Sequence, residues 1–257
     1  MQPVKMSRFQ DKVIIITGAS EGVGRATALA LASEGATAVI CARREEPLAS
    51  AVEEIKADGG KVSAHRLDVA DLDAFAQLVQ ETGRKYGRLD GLVNNAMSVT
   101  YKMILDLDID EWRRDFAVNA EAVFVGTREA MKIMIPRGSG SIVNIASTCG
   151  LRAMQKVSSY SASKAALIHF SACAAMEAGP HGVRVNVIVP GWVDTPSNRA
   201  YNGTDPERLK QMQKQIPLQR AGQSEELARS IMFLLSDDSS YVTGTAIPVD
   251  GGSSARL

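Results

Sequence analysis

Val13-Ile14-Ile15-Ile16-Thr17-Gly18-Ala19-Ser20-Glu21-Gly22-Val23-Gly24 is the stretch that decides the fold. Its first four residues are all β-branched and apolar. They read as a short strand over 13–16, buried on both faces as strands of a parallel sheet are. An Ala- and Leu-rich helix is predicted at once over 22–33. Gly18, Gly22 and Gly24 fall between the two elements in the spacing GxxxGxG. Glycine accepts positive φ and lets another group approach the backbone, as a pyrophosphate on a helix N-terminus requires. This spacing differs from the GxGxxG fingerprint, and a tight turn without a ligand is the other reading of the glycines alone. A strand before and a helix after favour the phosphate site.

Working outward, the same rhythm continues. Strands are predicted at 37–42, 61–67, 89–94, 141–146, 183–189 and 246–249. Helices are predicted at 47–57, 71–86, 108–134, 158–178 and 225–235. Gly59-Gly60, Pro136, Gly179-Pro180 and Pro190-Gly191 supply the breaks. Strands alternating with helices of about ten residues or more form parallel βαβ units. The expected fold class is therefore α/β, a Rossmann-type doubly wound parallel seven-stranded sheet with helices on both faces. A single domain over 1–257 is expected, without linker or repeat. One segment, 195–223, breaks the rhythm with Pro196, Gly203, Pro206 and Pro217. Placed after a strand's carboxyl end, it reads as an irregular lid over a substrate site.

The bulk numbers narrow the function classes. The 257 residues carry 29 Lys plus Arg against 29 Asp plus Glu, so the net charge is zero. That excludes the basic footprint of a nucleic-acid binder. Cys41, Cys149 and Cys173 fit neither a zinc site nor a disulfide set, and suit reduced thiols. No apolar run approaches the roughly 20 residues that span a bilayer. The leader 1–10 is short and polar, without a secretory core. A cytoplasmic protein with no membrane or nucleic-acid partner is expected. His65, His169 and His181 stand apart from acids and thiols, so no metal is expected.

Beyond the second strand, dinucleotide sites place the residue that reads the adenosine ribose. An acid there bonds the 2′-hydroxyl of NAD, and Arg accommodates the 2′-phosphate of NADP. The segment here is Cys41-Ala42-Arg43-Arg44-Glu45-Glu46. Ala42 takes the acidic slot and Arg43 follows with a planar fork suited to phosphate. The segment thus favours NADP(H) over NAD(H). Two features oppose this: Arg43 and Arg44 could simply pair with Glu45 and Glu46, and Glu21 puts a carboxylate in the first loop.

At this point the chain resembles the short-chain dehydrogenase/reductase family over nearly its whole length. The resemblance rests on Thr17-Gly18-xxx-Gly22-x-Gly24, Asp68-Val69, Asn94-Asn95-Ala96, Asn119, Ser147 and Tyr160-Ser161-Ala162-Ser163-Lys164. Asn186, Pro190-Gly191, Thr243-Gly244 and Asp250-Gly251-Gly252 complete it. A lone YxxxK is weak, but one preceded by a strand-end Ser and followed by strand-Pro-Gly is specific. One departure is visible: Met97 stands where the family has Gly, which questions the local backbone and puts a large side chain near the nicotinamide. The resemblance implies a cofactor site at Gly18, Ser20, Glu21, Gly22, Val23, Gly24, Arg43 and Arg44. It extends to Asp68, Val69, Asn95, Ala96, Pro190, Gly191, Val193 and Thr195. A homotetramer or homodimer is also implied.

The side chains support hydride chemistry on a carbonyl or secondary alcohol. Tyr160 and Lys164 lie four apart on a predicted helix and share one face. A Tyr near pKa 10 is a poor base; a neighbouring ammonium lowers that value, and Lys164 and the bound nicotinamide cation together are expected to supply a drop of about two or three. Tyr160 then gives or takes the substrate proton. Ser147 can donate to the same oxygen where charge develops. Asn119 lies within the predicted long helix, and the family uses it in a water relay to the Lys. Met97, Val99, Thr148, Met154, Trp192 and Tyr201 are the substrate-pocket candidates, mostly apolar. The alternative from another class is a non-catalytic dinucleotide sensor on the same fold; four intact catalytic positions argue against it.

Overall fold

A computed structural model describes residues 7–203 and 205–255. Residues 1–6 of the polar leader, and Thr204 within 195–223, lie outside the described residues. Seven strands carry the fold: β1 (Val13–Thr17), β2 (Thr37–Ala42), β3 (Lys61–Arg66), β4 (Gly91–Asn94), β5 (Gly140–Ile145), β6 (Val183–Pro190) and β7 (Ala246–Val249). They form one parallel sheet in the order β3-β2-β1-β4-β5-β6-β7. Between them run α1 (Gly22–Ser33), α2 (Glu45–Ala57), α3 (Leu72–Tyr86), α4 (Ile109–Phe116), α5 (Ala122–Met134), α6 (Ser158–Ala178), α7 (Pro196–Asn202), α8 (Pro206–Lys214) and α9 (Ser224–Leu235).

The two faces of the sheet follow from the period-2 geometry of a strand. Ile14 and Ile16 of β1 point into a core shared with Leu31, Leu48, Ile55 and Ile231, from α1, α2 and α9. Val13 and Ile15 point the other way, into a core with Phe75, Val79, Met134 and Ala174, from α3, α5 and α6. Burial on both faces explains why β1 carries no polar residue before Thr17. Strand order reverses between β1 and β4, and this switch point opens a crevice at the strands' carboxyl ends, where ligands of such sheets bind.

Two expectations are corrected. The helix expected over 108–134 is not one regular helix. A capping box from Asp108 and Glu111 starts α4, and a π-helical turn over Ala117–Glu121 separates it from α5. A π turn accommodates one extra residue and is common beside functional sites. The segment 195–223 is not irregular either. Thr195 caps α7 through Asn198 N–H and Asp205 caps α8 through Glu207 N–H, each with Pro in the first turn. Pro there costs no hydrogen bond, because its missing N–H is one the helix would leave unpaired.

Candidate active site

The loop from β1 to α1 is built for close approach. Gly18 and Gly22 have φ of +65° and +56°, which L side chains seldom adopt. A Cβ on Gly24 would fall 2.4 Å from the carbonyl oxygen of Gly18. Thr17 ties the loop to the end of β4: its hydroxyl accepts from Asn95 N–H and Ala96 N–H, both at 2.9 Å. Asn95 Nδ2 donates to the carbonyls of Thr17 and Gly18 at 2.9 and 3.2 Å. The cleft above holds Ser20, Ala42, Arg43, Val69, Met97 and Thr195 along its walls. Thr195 Cγ2 reaches to 3.3 Å from the Cβ position of Gly22, so the start of α7 rests on the glycine loop.

Ser147 follows β5, and its hydroxyl accepts from Cys149 N–H at 3.1 Å. Tyr160 and Lys164 occupy successive turns of α6. Lys164 is 1% exposed, and its Nζ donates to the Ile145 carbonyl at 2.7 Å and lies 5.7 Å from the Tyr160 ring centre. No carboxylate pairs with it among the described residues. Burial pushes the Lys164 ammonium down to about 7. Burial pushes the Tyr160 phenol up, the Ser147 hydroxyl offsets part of this, and Cys149, Tyr101 and Asp115 add to the rise. The expectation that Lys164 lowers Tyr160 is therefore corrected for the protein alone. Both groups sit in one low-dielectric pocket, and desolvation disfavours each charged form.

Asn119 lies in the π turn and is fully buried, not solvated. Its Nδ2 donates to the Ser98 carbonyl at 2.7 Å and to Ser163 Oγ at 3.0 Å, and its Oδ1 accepts from Ser98 N–H at 3.0 Å. Ser163 Oγ donates in turn to the Tyr160 carbonyl at 2.8 Å. Both amide N–H groups are thus engaged, so the side chain works as a clamp between the loop after β4 and the Tyr160 turn.

The family described as enoyl-(acyl carrier protein) reductase matches this chain over residues 18–254. The 3-oxoacyl-[acyl-carrier-protein] reductase of Thermotoga maritima is 39% identical over 246 residues, covering 95% of this chain and 98% of that one. Cyclohexanol dehydrogenase from an Acinetobacter species is 35% identical over 257 residues and all of both chains. A solved structure of an actinorhodin polyketide ketoreductase variant with NADPH superposes with a TM-score of 0.91 at 31% identity, covering 96% and 98% of the two chains. The chain belongs to the short-chain dehydrogenase/reductase family. As a member it is an oxidoreductase acting between alcohols and carbonyls, and the non-catalytic sensor reading finds no support.

In this short-chain dehydrogenase/reductase Glu21 and Glu45, two of the carboxylates near Arg43, have other partners. Glu21 pairs with Arg44 at 2.7 Å, and Glu45 pairs with Arg66 at 3.2 Å. Arg43 is exposed beside the buried Ala42 and makes no ion pair among the described residues. Asp68 accepts from Arg114 at 2.7 Å and from Ala70 N–H at 3.1 Å. Burial works against its charge, but these donors outweigh it and hold the carboxyl below its ordinary range.

The remaining expected positions are spread more widely. Met97 is 38% exposed at an ordinary φ, so Met replaces the family's Gly there without backbone strain and lines the cleft. Tyr201 of α7 stacks on Tyr101 with ring centres 3.6 Å apart. Met154 is exposed and Val99 half-buried. Trp192 lines a separate cavity with Asp194, Leu209 and Arg220 under α7 and α8, not the glycine-loop cleft. At the exit of β6, Pro190 pairs with Val249, and a Cβ on Gly191 would fall 2.7 Å from Asp250 Cβ. Val193 is buried and bridges to Gly222, pinning the base of a flap, residues 195–221, that carries α7 and α8. Sequence reasoning missed Ser98, Tyr101, Arg114, Asp115 and Ser159. The one local signal was Asp115 itself, an acid one turn before Asn119. No group of three or more His, Cys, Asp or Glu able to hold a metal occurs among the described residues, and no helix there is long and apolar enough to cross a membrane.

Proposed function

We propose that this enzyme moves a hydride between NADP(H) and a carbonyl or secondary alcohol, with Tyr160 as the acid/base. One observation carries the reading: buried Lys164, without a counter-ion among the described residues, stands one turn from Tyr160 beside Ser147. An uncompensated buried ammonium is costly, and such groups gather at functional sites. The residues fit a nicotinamide dinucleotide. No side chain caps the first turn of α1, so its N–H groups suit a phosphate, and Lys164 keeps two N–H donors beyond the one given to Ile145, suited to ribose hydroxyls. The bound nucleotide supplies or accepts the hydride. Tyr160, held protonated at neutral pH, donates its proton to the substrate oxygen in reduction. In oxidation it must lose that proton, and Lys164 would favour the phenolate once bound nucleotide gives its ammonium acceptors. Ser147 Oγ donates to the same oxygen.

Arg43 next to Ala42 supports NADP(H) over NAD(H), and the Glu21–Arg44 pair offsets the charge of the opposing carboxylate. Met97, Tyr101 and Tyr201 suit an apolar substrate. Exposed Phe124 on α5, Met176 on α6 and Phe233 on α9 support self-association as a homotetramer or homodimer. The test follows reduced-cofactor absorbance across apolar ketones and alcohols, for the parent and Tyr160→Phe. The parent turns over, and the variant loses at least about a hundredfold in kcat, in the range for a lost general acid, while still binding NADPH. Turnover by Tyr160→Phe within tenfold of the parent removes it from the mechanism.

A further inference from the structure

Asp115 lies in the last turn of α4 and is completely buried. Its carboxylate lies among donors from two other parts of the chain. Oδ1 accepts from Ser98 Oγ at 2.7 Å. Oδ2 accepts from Thr100 N–H at 3.1 Å and from Ser159 Oγ at 2.6 Å. Ser98 and Thr100 belong to the loop that leaves β4, and Ser159 directly precedes Tyr160. No Lys or Arg pairs with Asp115 among the described residues. An apolar residue at 115 would leave Ser98 Oγ, Thr100 N–H and Ser159 Oγ without this acceptor.

One turn on, Asn119 makes the parallel set of bonds, to Ser98 N–H and carbonyl and to Ser163 Oγ. The two residues form consecutive rungs between the same partners, and the π turn keeps both rungs facing them. Thr100 is followed by Tyr101, on which Tyr201 of the flap stacks. A chain of contacts thus runs from the Tyr160 turn through Asp115 to the aromatic pair at the flap.

We propose that Asp115 is a positioning residue for the reaction: its carboxylate fixes the Tyr160 turn of α6 relative to the Ser98–Thr100 loop, and through Tyr101 fixes the seat of the flap. The inference rests on Tyr160 being the acid/base. It also gives Asp115 an electrostatic effect, because a fixed negative charge near the phenol favours its protonated form. The other groups facing that phenol are Cys149 and Tyr101, which act in the same sense, the Ser147 hydroxyl, which acts in the opposite sense, and the Lys164 amine beside the ring.

Three variants separate position from charge. Asp115→Asn keeps the shape: its oxygen can take Thr100 N–H and Ser159 Oγ, while its N–H₂ turns to Ser98 Oγ. Asp115→Leu removes every acceptor, and Ser159→Ala removes one arm on a side chain that leaves no cavity larger than a hydroxyl. Kinetics of alcohol oxidation from pH 6 to 10, NADPH titration by fluorescence and circular dichroism are measured on each, with Tyr160→Phe alongside. Asp115→Asn is expected to keep kcat/KM at the optimum within about threefold and to move the acid limb to lower pH, raising the rate there by about threefold, half a pH unit. Asp115→Leu and Ser159→Ala are expected to keep NADPH affinity and raise substrate KM by about tenfold or more, with Leu the worse, as misplacement of reacting groups does. If Asp115→Leu fails to fold, Ser159→Ala and Asp115→Asn decide. Parent-like KM in Ser159→Ala together with an unmoved limb in Asp115→Asn overturns the proposal. An active Tyr160→Phe instead overturns the reading on which it rests.

Discussion

Replacing Lys164 with Met should make the protein more stable and inactive at once, by an amount that depends on pH. The drop of the Lys164 ammonium from 10.5 to about 7 corresponds to roughly 5 kcal/mol against the charged form in the fold, at 1.36 kcal/mol per unit. The sign follows from linkage. Between about 7 and 10.5 the unfolded chain holds this proton and the native chain does not, so native stability rises with pH across that window. Below 7 both states are charged and the full penalty stands. At pH 9 the remaining penalty is about 2 kcal/mol, set by the gap to 10.5. Met fills the same space without titrating, although it leaves the Ile145 carbonyl without this donor. Subtracting variant from parent at each pH cancels every other group. The parent should therefore gain about 3 kcal/mol on the variant between pH 6 and pH 9, read by urea unfolding without nucleotide; for a chain of this size that is roughly 6–12 °C in Tm. Saturating NADPH should narrow the gap at pH 6, because the ligand supplies the missing partners only to the parent. A parent-minus-variant difference flat within about 0.5 kcal/mol, the usual scale of a surface substitution, from pH 6 to 9 would refute the claim that Lys164 is uncompensated.

Gly24→Ala should cost about 2 kcal/mol or more, because its Cβ would meet backbone at 2.4 Å that cannot move aside; an unchanged urea midpoint and NADPH affinity would count against the cradle. The parent should favour NADP(H) over NAD(H) by about tenfold in kcat/KM, roughly 1.4 kcal/mol, and Ala42→Asp with Arg43→Leu should reverse that order; a parent that prefers NAD(H) would falsify the assignment of Arg43. Tyr201→Ala should free the flap by removing a stack worth about 1 kcal/mol, seen as faster hydrogen exchange over 195–221. Exchange rates equal to the parent's would show that the stack does not hold it.

Much of the fold was legible because its signals are local. Four β-branched residues ending in a glycine turn define β1 without reference to anything distant, and the alternation that follows repeats the same logic. The candidate site was legible for a similar reason: Tyr160 and Lys164 are four apart, which in a helix puts them on one face. The π turn was not legible, since Ala117–Glu121 differs from an α-helical stretch by one hydrogen-bond register, not by composition. α7 and α8 do carry a local signal: Thr195-Pro196 and Asp205-Pro206 are both cap-plus-proline starts, although the proline content of the segment reads as irregularity. Asp115 and Tyr101 could not be assigned, because their partners, Ser159 and Tyr201, are brought to them only by the packed sheet.

The flap enters and leaves the body of the protein at one place. Asp194 N–H donates to the Gly222 carbonyl, and Gly222 N–H returns a bond to the Trp192 carbonyl, both within 3.0 Å. An excursion whose two ends are fastened side by side can change length at little cost, since closing a longer loop adds only about 0.6 kcal/mol per doubling. Evolution, or an engineer, can therefore exchange residues 196–221 as a cassette while Thr195 stays on the glycine loop. The sheet, the glycine cradle and Tyr160 would keep their places while the surface of the flap is rewritten.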